Sequence, residues 1–168
     1  MTADVRKSRV ALFPASFDPL TNGHLDLLQR GLRVFDEVVV AVASNVDKSG
    51  GTFAFVERME MLNEVLGSEP RVRIESFDCL VVEYARRIGA TAIIRGLRML
   101  SDCEYEFEMA LMNRHLNPEI EILFMMASQE YLYVSSSRLK ELVRFGASVD
   151  EFVPEAVAKR LISKLGPG

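Results

Sequence analysis

Six consecutive residues, Val38-Val39-Val40-Ala41-Val42-Ala43, carry no polar side chain, and four of them are β-branched. A strand with one wet face alternates apolar and polar residues. An unbroken run suits a strand covered on both faces, as in a parallel sheet flanked by helices. Comparable runs at 9–13, 71–77, 92–94 and 120–125, with 37–43, predict five strands.

Helical stripes fall between them. Leu25, Leu28, Leu32 and Phe35 mark one helix, Phe55, Met59, Leu62 and Leu66 a second, and Leu80, Tyr84 and Ile88 a third. Residues 102–116 form a fourth with two apolar stripes, Phe107 with Leu111 and Tyr105 with Met109 and Met112. A single-sided core cannot use both, so one stripe is expected to face another subunit. After the last strand, Ser135-Ser136-Ser137 opens a short helix bearing Leu139, Leu142 and Val143, and Pro154 opens a final one bearing Val157, Leu161 and Leu165. This alternation predicts a doubly wound, Rossmann-like α/β fold over one domain, 1–168. Its five-stranded parallel sheet has helices on both faces and a C-terminal helical segment, and ligands bind beyond the carboxyl ends of the strands.

Composition narrows the partners. With 49% hydrophobic and 26% charged residues the chain reads as an ordinary soluble globule. A net charge of -4 argues against a general nucleic-acid binder yet leaves room for a local cationic pocket. No apolar run approaches membrane-spanning length, and residues 1–9 lack the apolar core of a signal peptide, so a cytoplasmic protein without membrane association is expected. Cys79 and Cys103 form no CxxC pair and have no histidine cluster beside them, which favours reduced thiols over a disulfide or a metal site.

The stretch Ser16-Phe17-Asp18-Pro19-Leu20-Thr21-Asn22-Gly23-His24 joins the first strand to the first helix. Its Pro, Gly and small polar residues permit a sharp turn, and the helix start presents unpaired N–H groups and a positive dipole end to an anion. A lone histidine at a helix start usually only caps or solvates. Here Ser16, Asn22, Gly23 and His24 together make a polar cradle beyond a buried strand, so His24 reads as an anion contact. His115, at a helix end, reads instead as a complement to the C-terminal dipole.

Arg95-Gly96-Leu97-Arg98 follows Ile93-Ile94, placing two guanidinium groups at another strand terminus with a flexible glycine between them. From this segment alone, phosphate binding and salt bridges to Asp102, Glu104 and Glu106 are equally good readings. In Tyr131-Leu132-Tyr133-Val134-Ser135-Ser136-Ser137 one serine suffices as an N-cap, so three hydroxyls suggest a second anion cradle. The two helix starts could then hold one polyphosphate between them. Lys48 lies in a polar loop after the second strand, at the ligand end of the sheet.

Taken together, Ser16-Phe17-Asp18-Pro19 with Asn22-Gly23-His24, Ile94-Arg95-Gly96-Leu97-Arg98, Glu104-Tyr105-Glu106, Met112-Asn113-Arg114-His115-Leu116 and Val134-Ser135-Ser136-Ser137 closely resemble the bacterial phosphopantetheine adenylyltransferase family. The Gly-His element alone marks only the wider nucleotidyltransferase superfamily; the remaining segments in this order are far more specific. The resemblance implies transfer of AMP from ATP to 4'-phosphopantetheine, giving dephospho-coenzyme A and pyrophosphate with Mg2+ present, in a homohexamer. It further implies that His24 stabilises the transition state at the α-phosphate. By the same resemblance Ser16, Lys48, Val81 and Arg95 bind phosphopantetheine. ATP falls to Ser16, Phe17, His24, Gly96, Leu97, Arg98, Glu106, Tyr131, Leu132, Tyr133, Val134, Ser135, Ser136 and Ser137. No protein ligand to the metal is implied.

The residues suit that chemistry. The acceptor is already an anion, so no general base or covalent nucleophile is needed, and the chain offers no Ser/His/Asp or Cys/His set. Two other readings stand beside it: the same fold acting on nicotinate mononucleotide or a sugar or polyol phosphate, and a nucleotide-binding sensor without transfer. Three positions depart from the family pattern: Ser16 where threonine is common, Tyr131-Leu132-Tyr133 in place of a tryptophan-containing stretch, and Ala54 where a threonine cap is usual. Loss of that cap is expected to cost about 1 kcal/mol, and the lengthened segment 49–52 to be mobile.

Overall fold

The computed structural model describes residues 8–44 and 51–167. Its elements run β1 (Val10–Pro14), α1 (Asn22–Val34), β2 (Glu37–Ala43), α2 (Phe55–Leu66), β3 (Val72–Phe77), α3 (Val81–Arg87), β4 (Ala92–Leu97), α4 (Leu100–Leu116), β5 (Glu121–Met126), α5 (Ser136–Arg144) and α6 (Glu155–Leu165), with a 3-10 turn at Gln129–Tyr131. The strands form one sheet in the order β3-β2-β1-β4-β5, and every neighbouring pair is parallel.

This order follows from the handedness of crossovers. Going from β1 to β2 to β3 the chain steps one way across the sheet, and right-handed connections put α1 and α2 on one face; the return from β3 to β4 and on to β5 steps the other way and puts α3 and α4 opposite. Two cores result. Val38, Val40 and Val42 pack with Leu28 and Leu32 of α1, Met61 and Leu62 of α2, Leu139 of α5 and Leu161 of α6. Val39 and Ala41 pack with Leu12, Ile93 and the α3 residues Val82, Tyr84 and Ala85. All five residues from Val38 to Val42 are 0% exposed, the two-sided burial that their unbroken apolar run demands. Each buried valine contributes roughly 1.5–3 kcal/mol relative to an exposed one.

Three expectations change. First, β4 does not stop at Ile94 but continues to Leu97, pairing Arg95 with Phe124 and Gly96 with Met125. Gly96 is therefore no hinge between arginines. A Cβ there would lie 2.4 Å from Leu27 Cδ1, so the glycine lets α1 approach the sheet. Second, α2 does lack a side-chain cap at Ala54, but Glu57 Oε2 accepts the Ala54 N–H at 2.7 Å and restores half of a capping box. Of the segment 49–52, Ser49 and Gly50 lie outside the described residues, and the Thr52 N–H donates to Asp18 Oδ2 at 3.0 Å. Third, neither stripe of α4 is fully covered: Tyr105, Phe107, Met109, Leu111 and Met112 are all exposed, as are Leu123, Phe124 and Met126 of the neighbouring edge strand β5.

Candidate functional site

Connections leave β1 and β4 toward opposite faces, which opens a crevice beyond their carboxyl ends, the usual ligand position in such a sheet. Here the chain turns sharply after β1. Phe17 adopts a left-handed backbone conformation (φ 45°), and Arg58 of α2 donates to the Ser16 carbonyl at 3.2 Å. The Phe17 side chain is 1% exposed and packs edge-on beneath the His24 ring, centroids 5.1 Å apart, so any ligand contact from this residue comes from its main chain.

His24 is set by Thr21, the N-cap of α1. Thr21 Oγ1 accepts the His24 N–H at 3.3 Å, while His24 Nδ1 accepts the Thr21 N–H at 3.1 Å and lies 2.9 Å from Thr21 Oγ1. This is a capping box with histidine in the third helical position, where glutamate is usual. An Nδ1 that accepts leaves the ring proton on Nε2, the tautomer assigned by this hydrogen bonding. Burial, with the charge of Arg98 behind it, pushes the imidazole down to about 4, so the ring is a neutral N–H donor at physiological pH. Thr21 did not emerge from the sequence as a site residue, although its Thr-x-x-His spacing is a capping-box signal. Asn22, read as part of the cradle, turns away instead: its side chain donates to the Glu151 carbonyl at 3.0 Å.

A cavity of about 350 Å3 opens over the α1 and α5 side of the crevice. Ser16, Gly23, His24, Arg95, Gly96, Arg98, Glu106, Tyr131, Val134, Ser135, Ser136 and Ser137 all line it, so the structure brings most of the predicted residues to one place. Gly23 is needed there because a Cβ would crowd Tyr131 Cβ at 3.3 Å. Leu97, Leu132 and Tyr133 do not line it, and Tyr133 is exposed with its ring against Phe152. Lys48 lies outside the described residues.

The two readings of the arginines turn out to be compatible. Glu106 holds Arg95 through both oxygens, at 2.7 and 2.5 Å, and Arg95 Nη1 donates to the Pro14 carbonyl at 3.0 Å. Asp102 holds Arg98 Nε at 3.2 Å, and Arg98 Nη1 donates to the Val134 carbonyl at 3.0 Å. Each guanidinium is thereby locked in place with N–H groups to spare among its five, a pre-aimed donor for an anion. The triple serine is less uniform than its sequence suggests. Ser135 caps α5 by accepting the Arg138 N–H at 3.2 Å, and Ser136 donates to the Pro19 carbonyl at 2.9 Å. Of these three hydroxyls only that of Ser137 is uncommitted among the described residues, beside the open N–H groups of the first turn of α5.

A second cavity of about 460 Å3 lies on the opposite face of the sheet, lined by Phe77, Val81, Ile93, Tyr105, Met109, Asn113 and Ile122. It shares Pro14, Ala15, Ser16, Arg95 and Glu106 with the first. The first is polar, hydroxyl-rich and cationic; the second is mostly apolar. They meet at the sheet end. No group of three or more His, Cys, Asp or Glu side chains among the described residues could hold a metal ion, and Glu106 and Asp102 are already committed to arginines.

Known proteins share this architecture. The cytidylyltransferase-like family pattern matches residues 12–142. A phosphopantetheine adenylyltransferase of Caldanaerobacter subterraneus subsp. tengcongensis is 51% identical over 156 residues, 93% of this chain and 97% of that one. Another, from Anaeromyxobacter sp. strain K, is 48% identical over 95% of this chain and 96% of its own length. A crystal structure from Vibrio parahaemolyticus, provisionally assigned as a nicotinate-nucleotide adenylyltransferase, superposes with a TM-score of 0.66 at 14% identity, covering 92% of this chain and 99% of that one. That likeness speaks to the fold.

Proposed function

The chain belongs to the phosphopantetheine adenylyltransferases of the cytidylyltransferase-like family, and from that membership we propose that it transfers AMP from ATP to 4'-phosphopantetheine. One observation carries the proposal beyond the name: a polar, cationic cavity and an apolar one reach the same strand end from opposite faces and share Ser16, Arg95 and Glu106. ATP occupies the first, its phosphates between His24, Arg98 and the start of α5. Phosphopantetheine lays its arm along Val81, Met109 and Ile122 in the second and presents its phosphate at Ser16 and Arg95; the family resemblance adds Lys48. Glu106 contributes by holding Arg95.

A phosphate oxygen of the acceptor attacks the α-phosphorus, the bond from that phosphorus to the bridging α–β oxygen breaks, and pyrophosphate leaves with the electron pair. No proton need move. The neutral His24 donates its Nε2–H to a non-bridging α-oxygen, where charge grows in the transition state, and the locked arginines offset charge without reorganising. Mg2+ would accompany the triphosphate rather than a protein carboxylate site, since Glu106 and Asp102 are engaged by arginines, and would supply neutralisation of phosphate charge. No helix among the described residues is long and apolar enough to cross a membrane, in keeping with a cytoplasmic enzyme. The apolar α4 and β5 surfaces fit a homo-oligomer, a hexamer by the family resemblance.

The test is pyrophosphate release by purified protein. Turnover should require ATP, Mg2+ and 4'-phosphopantetheine together. Equal or better saturation by nicotinate mononucleotide or a sugar phosphate overturns the acceptor, and ATP binding without transfer overturns the enzyme.

A further inference from the structure

The corner between β1 and α1 is fastened by charged groups that line neither cavity. Asp18 is 7% exposed, and its carboxylate accepts the N–H groups of Phe53 at 2.8 Å and Thr52 at 3.0 Å together with Lys140 Nζ at 2.8 Å. Lys140 sits about one turn into α5, behind the serines that start it, with its side chain 17% exposed. One residue beyond Asp18, the Pro19 carbonyl accepts the Ser136 hydroxyl. One residue before it, Phe17 floors the His24 ring. A lysine so near a phosphate-receiving helix start would ordinarily serve the phosphate; this one turns away and is neutralised. Burying such a pair brings little net stability, since desolvation offsets the Coulomb attraction, but it does fix the relative placement of the segments it joins.

We infer that Lys140 and Asp18 are positioning residues for adenylyl transfer, setting the placement of His24 relative to the α5 phosphate cradle. The inference rests on the adenylyltransferase reading. The α5 start holds phosphates already present in the ground state, whereas His24 answers charge that appears only in the transition state. Displacing one against the other therefore lowers kcat more than it raises KM. A misplacement of ~1 Å can cost about a hundredfold in rate.

Steady-state pyrophosphate release, with both substrates varied and melting temperatures recorded, tests this on wild type, Lys140→Met, Lys140→Arg, Asp18→Asn and the double variant Asp18→Asn/Lys140→Met. Lys140→Met should lose about 10- to 100-fold in kcat with the KM for ATP changed less than about threefold. Lys140→Arg should recover most of the loss. The double variant should lose no more than the worse single one, because the pair acts as a unit. An unchanged kcat in Lys140→Met, a loss confined to KM, or losses that multiply in the double variant overturn the positioning role while wild-type turnover stands. An inactive wild type overturns the adenylyltransferase reading itself. If Lys140→Met does not fold, Asp18→Asn, which keeps an acceptor for one amide, carries the same kcat expectation.

Discussion

His24 shows how one residue's chemistry is set by its neighbours. Its Nδ1 is occupied by Thr21 and its basicity is suppressed by burial and by Arg98, so it is a neutral donor, the form that the proposed mechanism requires. His24→Ala should lower kcat by roughly a hundredfold or more while leaving ATP affinity near wild type, as isothermal calorimetry beside kinetics can establish. Thr21→Val removes the hydroxyl that caps α1 and should cost about 1 kcal/mol in urea unfolding, with a fall in kcat. The sign of the pH effect follows from linkage. The folded-state pKa, about 4, lies below the ordinary 6.5, so between those values the unfolded chain binds the proton and acid weakens the fold. This contribution is complete above pH 6.5 and disappears as pH falls toward 4. His24→Asn should accordingly show a shallower loss of stability from pH 7 to pH 5 than wild type. The imidazole was legible in the sequence because Gly23-His24 follows a strand and a turn; its protonation state was not, because it depends first on burial and then on Arg98, which tertiary folding brings in from just beyond β4.

At the scale of elements, β4 and α5 show what local pattern could and could not reveal. Ile93-Ile94 signals a buried strand, but Arg95 and Gly96 look like its end, since charge and glycine both read as exit signals. Only the β5 partner, which satisfies the Arg95 and Gly96 backbone, and Leu27, which fills the space above Gly96, explain why the strand continues. Gly96→Ala should therefore destabilise by about 1–3 kcal/mol through overpacking against Leu27, or narrow the first cavity if Leu27 yields; thermal unfolding and the KM for ATP separate the two. In α5 the repeated serines look equivalent, yet tertiary contacts divide them into a cap, a tether to Pro19 and an uncommitted hydroxyl. Ser137→Ala should thus weaken ATP binding more than stability, whereas Ser135→Ala should do the reverse.

For the whole molecule, a doubly wound parallel sheet was readable in advance because the all-apolar run at 38–43 demands helices on both faces, whereas the strand order β3-β2-β1-β4-β5 came only with the structure. The surface was harder to read. Two stripes on α4 suggested one inward and one outward, whereas both are exposed together with the face of β5, an apolar area that a second copy of the chain can cover. Leu111→Glu places a charge on that surface away from both cavities; for the proposed homo-oligomer, light scattering should show wild type above monomer mass and the variant shifted toward the monomer, and an unchanged oligomer mass moves the interface elsewhere.

The meeting of the two cavities at one strand end has a consequence for traffic. In the proposed placement each reactant has its own door, on its own side of the sheet, so neither would block the other's arrival. The joined product would then reach through the wall and stand in both doorways at once, competing with both reactants and leaving only when both ends let go.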